Sequence, residues 1–208
     1  MPNWCSNHIT VRGTDPVAIK RLATAFDNGE FCGTVVPMPE ELNITSGRLG
    51  DGAEQRELEA KSAANLEKHG FANWYDFNVA KWGTKWEIGG NGDTAEIEED
   101  GLSFSAPFES AWSPPIGVCE ALVEQGFEVV LYYYEPGMGY CGKFEDGSDD
   151  YYEYSGENSK TIRAAIGDEL DDMFGISESM AEYEAENEEE ELTEWIKDGA
   201  EKKALIAL

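Results

Sequence analysis

Cys5 and His8 stand three residues apart and carry the side chains of a nucleophile and its base. Their surroundings argue against such a pair. Trp4 to Arg12 alternates, with Ile9 and Val11 against His8 and Thr10, and so predicts a strand. Residues three apart on a strand point to opposite faces. His8 and His69 are the only histidines, which leaves little general-base capacity near neutral pH. The four cysteines, Cys5, Cys32, Cys119 and Cys141, have no metal-knuckle spacing and read as reduced, mostly buried thiols. Glu145, Asp146, Ser148, Asp150 and Glu153 offer oxygens of the kind calcium takes, but the closing glutamate of a twelve-residue loop is missing, so a solvated acidic hairpin is expected. Gly137, Gly139 and Gly142 precede no helix and lack a lysine–serine ending, which excludes a phosphate loop. Lys85 and Arg12 read as stem-packed surface charges. These residue types predict no catalytic residue, no metal and no cofactor.

Charge points towards binding. The 208 residues carry 43 acidic and 15 basic side chains, a formal net charge of −28. Such a chain repels a nucleic-acid backbone and attracts basic protein surfaces. Residues 145–208 hold 21 acids against 5 bases, and residues 1–144 hold 22 against 10. The candidate partner-binding carboxylates are Asp168, Glu169, Asp171 and Asp172, then Glu184, Glu186, Glu188, Glu189, Glu190 and Glu191. Carboxylates at helical spacing imitate the phosphate rows of DNA; the competing reading is an acidic solubility tail. Trp195, Ile196, Leu205 and Ile206 give such a tail something to dock with.

The elements that position these groups are legible as periodicities. Thr14 is the expected cap of a helix with Pro16 in its first turn and a stripe of Val17, Leu22, Ala25 and Phe26, closed by Asn28-Gly29. Ala53 to His69 predicts a surface helix with a thin face, Leu58 and Leu66. Trp74, Phe77 and Lys81 predict a helix face that Gly83 ends, and Thr84 to Ile88 predicts a strand. Thr94–Glu98 and Leu102–Phe108 flank Asp100-Gly101 as a hairpin. Ser113 is the expected cap of a helix buried through Ile116, Cys119, Leu122 and Val123. Phe127 to Tyr134, apolar on both faces, predicts a central strand. Tyr140 to Phe144 and Tyr151 to Tyr154 predict two more short runs. Ile162, Ile166, Leu170, Met173 and Phe174 predict one helical stripe up to Gly175, and Ser177 a cap for the last helix.

Three tryptophan-bearing motifs punctuate this pattern: Met1-Pro2-Asn3-Trp4-Cys5-Ser6-Asn7, Trp82-Gly83-Thr84-Lys85-Trp86 and Ala111-Trp112-Ser113-Pro114-Pro115. The structural residues expected of them are Trp4, Trp82, Gly83, Trp86, Trp112 and Pro114, and the last two motifs are expected to meet as a buried corner. In order and spacing the three motifs resemble the YubB-type ferredoxin-like domain family of phages and conjugative plasmids, over roughly residues 1–155. The resemblance implies an α+β fold, a βαββαβ antiparallel sheet with helices on one face; the acidic C-terminal helices, read from the sequence pattern, are an addition to it. Residues 1–155 would form the ferredoxin-like domain, with a helical insertion at about 40–70, and residues 156–208 the acidic helical extension. It also implies a mobile-element protein, and with the acidity this leads to a non-enzymatic inhibitor. Its expected partner is a host defence nucleoprotein or nuclease with a basic surface, bound through a DNA-mimic-like face. The alternative is a small-molecule-binding or enzymatic domain with a pocket at the Trp82/Trp86/Trp112 corner. The N-terminus lacks the basic start and apolar run of a signal peptide, and no run approaches the ~20 apolar residues of a spanning helix. The expectation is a cytoplasmic protein that binds neither nucleic acid nor membrane. Elemental analysis of the purified protein should return no stoichiometric metal.

Overall fold

The computed structural model describes residues 3–189. Two compact units divide the chain, Met1–Tyr151 and Tyr152–Leu208. In the first, strand β1 (Trp4–Arg12) follows from the alternation of its sequence: Cys5, Asn7, Ile9 and Val11 point into the core and their neighbours point away. Helix α1 (Pro16–Asp27) follows, then α2 (Phe31–Val35), a 3-10 turn (Glu40–Leu42), α3 (Ala53–His69) and α4 (Trp74–Lys81). The two-residue strand β2 (Glu96–Ile97) and the long β3 (Ser103–Ala111) form the hairpin about Asp100-Gly101. Helix α5 (Ile116–Glu124) leads into β4 (Glu128–Glu135), and β5 (Tyr140–Glu145) and β6 (Ser148–Glu153) complete the sheet.

The sheet is six-stranded and antiparallel, in the order β2-β3-β1-β4-β5-β6. Strand β1 is central: Ile9 lies opposite Ala106 of β3 on one side and Leu131 of β4 on the other. Residues of α1 (Ile19, Leu22, Phe26) and α5 (Val118, Cys119, Leu122) join Ile9, Phe104 and Leu131 in one core. An α+β architecture with β1, β2, β3 and β4 in the order 2-3-1-4, and a helix in each crossover, is compatible with a ferredoxin-like arrangement.

Several local expectations need correction. Thr84–Ile88 is no strand. Its polar groups are taken elsewhere: the Asn78 amide donates to the Lys85 carbonyl at 2.9 Å, and the Thr84 hydroxyl to the Ala111 carbonyl at 3.2 Å. Glu87 accepts from the Cys32 and Gly33 N–H groups at 2.7 and 2.8 Å, which caps α2. Asp15, not Thr14, caps α1 by accepting from the Val17 N–H at 2.9 Å, and Val17 is exposed. On α3, Leu58 is buried but Leu66 is exposed; the neighbouring Asn65 is buried instead, donating to the Glu41 carbonyl at 2.8 Å. Ser113 does not cap α5; its hydroxyl donates to the Gly83 carbonyl at 2.5 Å. Gly83 does end α4 as expected, at a φ of 86°.

In the second unit Gly167, at a φ of 86°, breaks the predicted single stripe into α6 (Ile162–Ile166) and α7 (Asp168–Phe174). A third helix, α8, runs over 176–189. Ile162 and Leu170 are buried, but Met173 is exposed. Ser177 lies inside α8 rather than capping it: its N–H and hydroxyl both donate to Asp171 at 2.7 Å. Glu190, Glu191, Trp195, Ile196, Leu205 and Ile206 lie outside the described residues.

Helices α4 and α5 meet closely beside the tryptophan motifs. A Cβ on Gly117 would run into the Lys81 carbonyl, and the Val118 N–H reaches the Trp82 carbonyl at 3.4 Å. In an isolated helix Gly→Ala stabilises by about 1 kcal/mol. Here Gly117→Ala should reverse that sign and destabilise by about 1–3 kcal/mol, because backbone cannot give way as a flexible side chain does. Urea unfolding of the variant against wild type measures it.

Candidate binding surface

The three tryptophan motifs, far apart in sequence, come together at the ends of β1 and β3. A chain of polar contacts fastens them. The Asn7 amide donates to the Cys5 carbonyl at 2.6 Å and to the Ser110 hydroxyl at 2.8 Å. Ser110 in turn donates to the Ser113 carbonyl at 2.8 Å, and Ser113 to Gly83. Gly83 is needed twice over. Its φ is positive, and a Cβ would lie 2.9 Å from the Ile116 nitrogen and 3.0 Å from the Pro114 oxygen.

Trp112 sits at the centre with a φ of 71°, a conformation that costs a bulky residue of order 1–3 kcal/mol and persists only where neighbours over-determine it. They do so here. The Trp112 N–H donates to the Asn3 carbonyl at 2.9 Å, and its own carbonyl accepts the Tyr140 hydroxyl at 2.6 Å. The strained backbone turns the indole outward rather than into the core.

Buried packing accounts for only one of the four expected tryptophans. Trp82 is buried against Phe77, and its indole N–H donates to the Val36 carbonyl at 2.9 Å. Trp4, Trp86 and Trp112 are 47%, 39% and 41% exposed. The corner therefore has a buried half and an open half, and the uniformly buried corner is corrected. The open half is a connected aromatic surface. Trp4 meets Trp86 at 5.9 Å between centroids, and Tyr75 presents its ring edge-on to Trp112 at 6.3 Å. Lys85 is more than a stem-packed charge: its Nζ lies 4.5 Å from the Trp86 centroid and 4.7 Å from that of Trp112, an ammonium between two indoles.

Beside this surface opens a cleft of about 700 Å³, bordered by Trp112, Pro114, Tyr133, Tyr140, Asp149 and Tyr151 among others. Trp112 belongs to both features. The sequence reading missed the tyrosines and Asp149; the signal available was the run Tyr132-Tyr133-Tyr134, whose middle member must face the core if β4 alternates.

All four thiols are free and buried. Cys5 is buried, and burial pushes its pKa up to about 12. Burial likewise raises Cys32 and Cys119. His8 lies on the opposite face of β1 from Cys5, and desolvation lowers its pKa, so it is neutral at neutral pH. Among the described residues no group of three or more His, Cys, Asp or Glu side chains is placed to hold a metal ion. Asp146 spends its carboxylate on the Val129 N–H at 2.9 Å.

The acidic candidates divide. Asp171 is buried and tied to Arg163 at 2.9 Å as well as to Ser177, so it is an internal fastening and presents no outward charge. Glu184 is half-buried and accepts from the Ser159 N–H and hydroxyl at 2.8 and 2.6 Å, which holds its pKa down. Asp168 and Asp172 are exposed but paired with the same Arg163. Glu169, Glu186, Glu188 and Glu189 are exposed. Among the described residues no helix is long and apolar enough to cross a membrane.

No protein-family model matches the chain, and no curated protein matches it. Among solved structures it is similar to the crystal structure of a protein api92 from Yersinia pseudotuberculosis, family model DUF1281. The identity is 12% and the TM-score 0.41, over 76% of this chain and 99% of that one. Likeness at that level carries no argument about fold, partner or activity.

The positive φ at Trp112 generates a prediction. Trp112→Ala removes a ring that is already part-exposed, so it should cost less than the 3–5 kcal/mol of a fully buried aromatic. Trp112→Gly removes the same ring and also relieves the left-handed strain, and should be more stable than Trp112→Ala by about 1 kcal/mol. Thermal unfolding of the two variants side by side checks the order.

Proposed function

We propose that the protein is a non-enzymatic binding protein built on a YubB-type ferredoxin-like domain, and that its partner is a protein or nucleoprotein with a basic surface. The observation that carries this reading is the convergence of three separate tryptophan motifs into one half-exposed aromatic surface, on a chain of net charge −28. Exposed indoles grouped at one place are unusual on a surface that nothing covers, and tryptophan is enriched among residues that dominate binding energy. The strain at Trp112 supports the same reading, since backbone strain is retained where it places a side chain for use. The strand order and the helix in each crossover support the ferredoxin-like assignment.

The class of partner proposed is the one the family resemblance suggests: a host defence nuclease or nucleoprotein complex, met by a mobile-element protein. Acidic mimicry of DNA is the part of this proposal that concerns the second unit. Asp168, Glu169, Asp172, Glu186, Glu188 and Glu189 are among its exposed carboxylates, with Asp171 and Glu184 withdrawn into internal contacts.

Affinity capture from host lysate with the tagged protein, followed by a salt series, tests the proposal. Contact through exposed carboxylates should weaken as salt rises, because charges are screened beyond about 8 Å at physiological ionic strength. Changing Glu188 to Glu191 to glutamine should weaken it in the same way. Trp86→Ala together with Trp112→Ala should abolish capture. Capture that ignores salt and the glutamine changes but is lost with the tryptophans would remove the mimicry and leave the aromatic surface as the binding site.

A further inference from the structure

The polar chemistry of the cleft beside Trp112 is mainly that of acceptors. Tyr133 spends its only hydroxyl proton on the Asp149 carboxylate at 2.7 Å, and Tyr140 spends its own on the Trp112 carbonyl at 2.6 Å. Ser113, also on the wall, spends its proton on Gly83. A hydroxyl that has donated retains only lone pairs, and an ionised carboxylate has nothing else. Three side-chain hydroxyls and one carboxylate therefore offer acceptors to whatever enters. Burial holds both phenols above their ordinary range, so they remain protonated in these bonds. None of the described residues lining the cleft is lysine or arginine. Apart from Asn3, whose carboxamide both donates and accepts, and Gly83, the remaining wall is aromatic or apolar. Tyr140 meets Tyr151 at 5.3 Å and Tyr133 at 6.2 Å between centroids, and Pro114, Ile116 and Met138 supply aliphatic surface.

A ligand complementary to this wall is rich in donors and has a positive charge, a flat face for stacking and an alkyl stem. We propose that the cleft takes the guanidinium of an arginine side chain presented by the partner protein. This rests on the reading that the partner is basic and names the contact that would anchor it. Guanidinium has five donors and no acceptor, stacks on aromatic rings and is less strongly hydrated than an ammonium. Lys85 already displays the affinity of these indoles for a cation. The excess of negative charge on the whole chain concentrates basic segments near the opening.

The probes are three capped tripeptides, Gly-Xaa-Gly, in which Xaa is arginine, lysine or citrulline; citrulline keeps the shape and removes the charge. Binding is read from shifts of the tyrosine and tryptophan side-chain resonances on titration. The arginine peptide should shift Tyr151 and Trp112, with citrulline about tenfold weaker and lysine between them. Tyr151→Ala and Asp149→Asn should each weaken arginine binding several-fold. Both residues are exposed and on the outermost strand, so the fold should survive, and retention of the wild-type spectrum elsewhere checks it. Changing Glu188 and Glu189 to glutamine should leave arginine binding unchanged. Equal binding of arginine and citrulline, indifference to Tyr151→Ala and Asp149→Asn, or shifts that follow Glu188 and Glu189 would each overturn the assignment. Partner capture that persists in the Asp149→Asn, Tyr151→Ala double variant would overturn this inference while leaving the proposed binding function in place.

Discussion

A short line of buried hydrogen bonds, Asn7 to Ser110 to Ser113 to Gly83, holds the tryptophan motifs in one place. Each link satisfies a polar group that burial would otherwise leave costly, and the first and last join segments distant in sequence. Asn7 sits on an inward-facing position of a central strand, where an apolar residue is the usual occupant. Its amide is what lets β1 grip the end of β3. Removing one member leaves the next unsatisfied, so such a network stands or falls as a unit.

That network explains why a tryptophan tolerates a left-handed backbone. The Trp112 N–H and carbonyl are both claimed, by Asn3 and Tyr140, and on either side Ala111 is pinned by Thr84 and Ser113 by Gly83. The fold spends stability there. What it obtains is an indole held at the surface, where Lys85 covers part of it and the tyrosine-lined cleft opens beside it. Helix α5 depends on the same place, since Gly83 lies against the start of α5 and Gly117 against the end of α4, each with no room for a Cβ.

The charge of the chain is a long-range property laid over this local one. A net charge of −28 sets which partners can approach, while the aromatic surface and the cleft set what they meet on arrival. The carboxylates are not equivalent in this. Asp171 and Glu184 hold the second unit together, Glu135 is buried and accepts from the Gly137 N–H at 3.0 Å, and Glu87 caps a helix.

What the sequence determined by itself is what depends on neighbours along the chain. Period-2 alternation marked β1, β-type residues marked β4, and helical spacing marked α1, α3 and α5; Gly83 marked the end of α4, because a left-handed residue is a local requirement. The three tryptophan motifs were likewise visible as motifs. Tertiary structure decided everything that depends on a partner far away. Thr84 to Ile88 alternates like a strand, yet it has no strand to pair with, because Ala111, Asn78 and α2 claim its polar groups first. Leu66 reads as a buried face and is exposed, because the contacts to Glu41 and Ala72 turn Asn65 inward instead. Whether a tryptophan is core or surface follows from φ at one residue and from which hydroxyl reaches its carbonyl, and those bonds span 28 residues from Tyr140 to Trp112 and 30 from Ser113 to Gly83. No periodicity in the chain encodes such a distance.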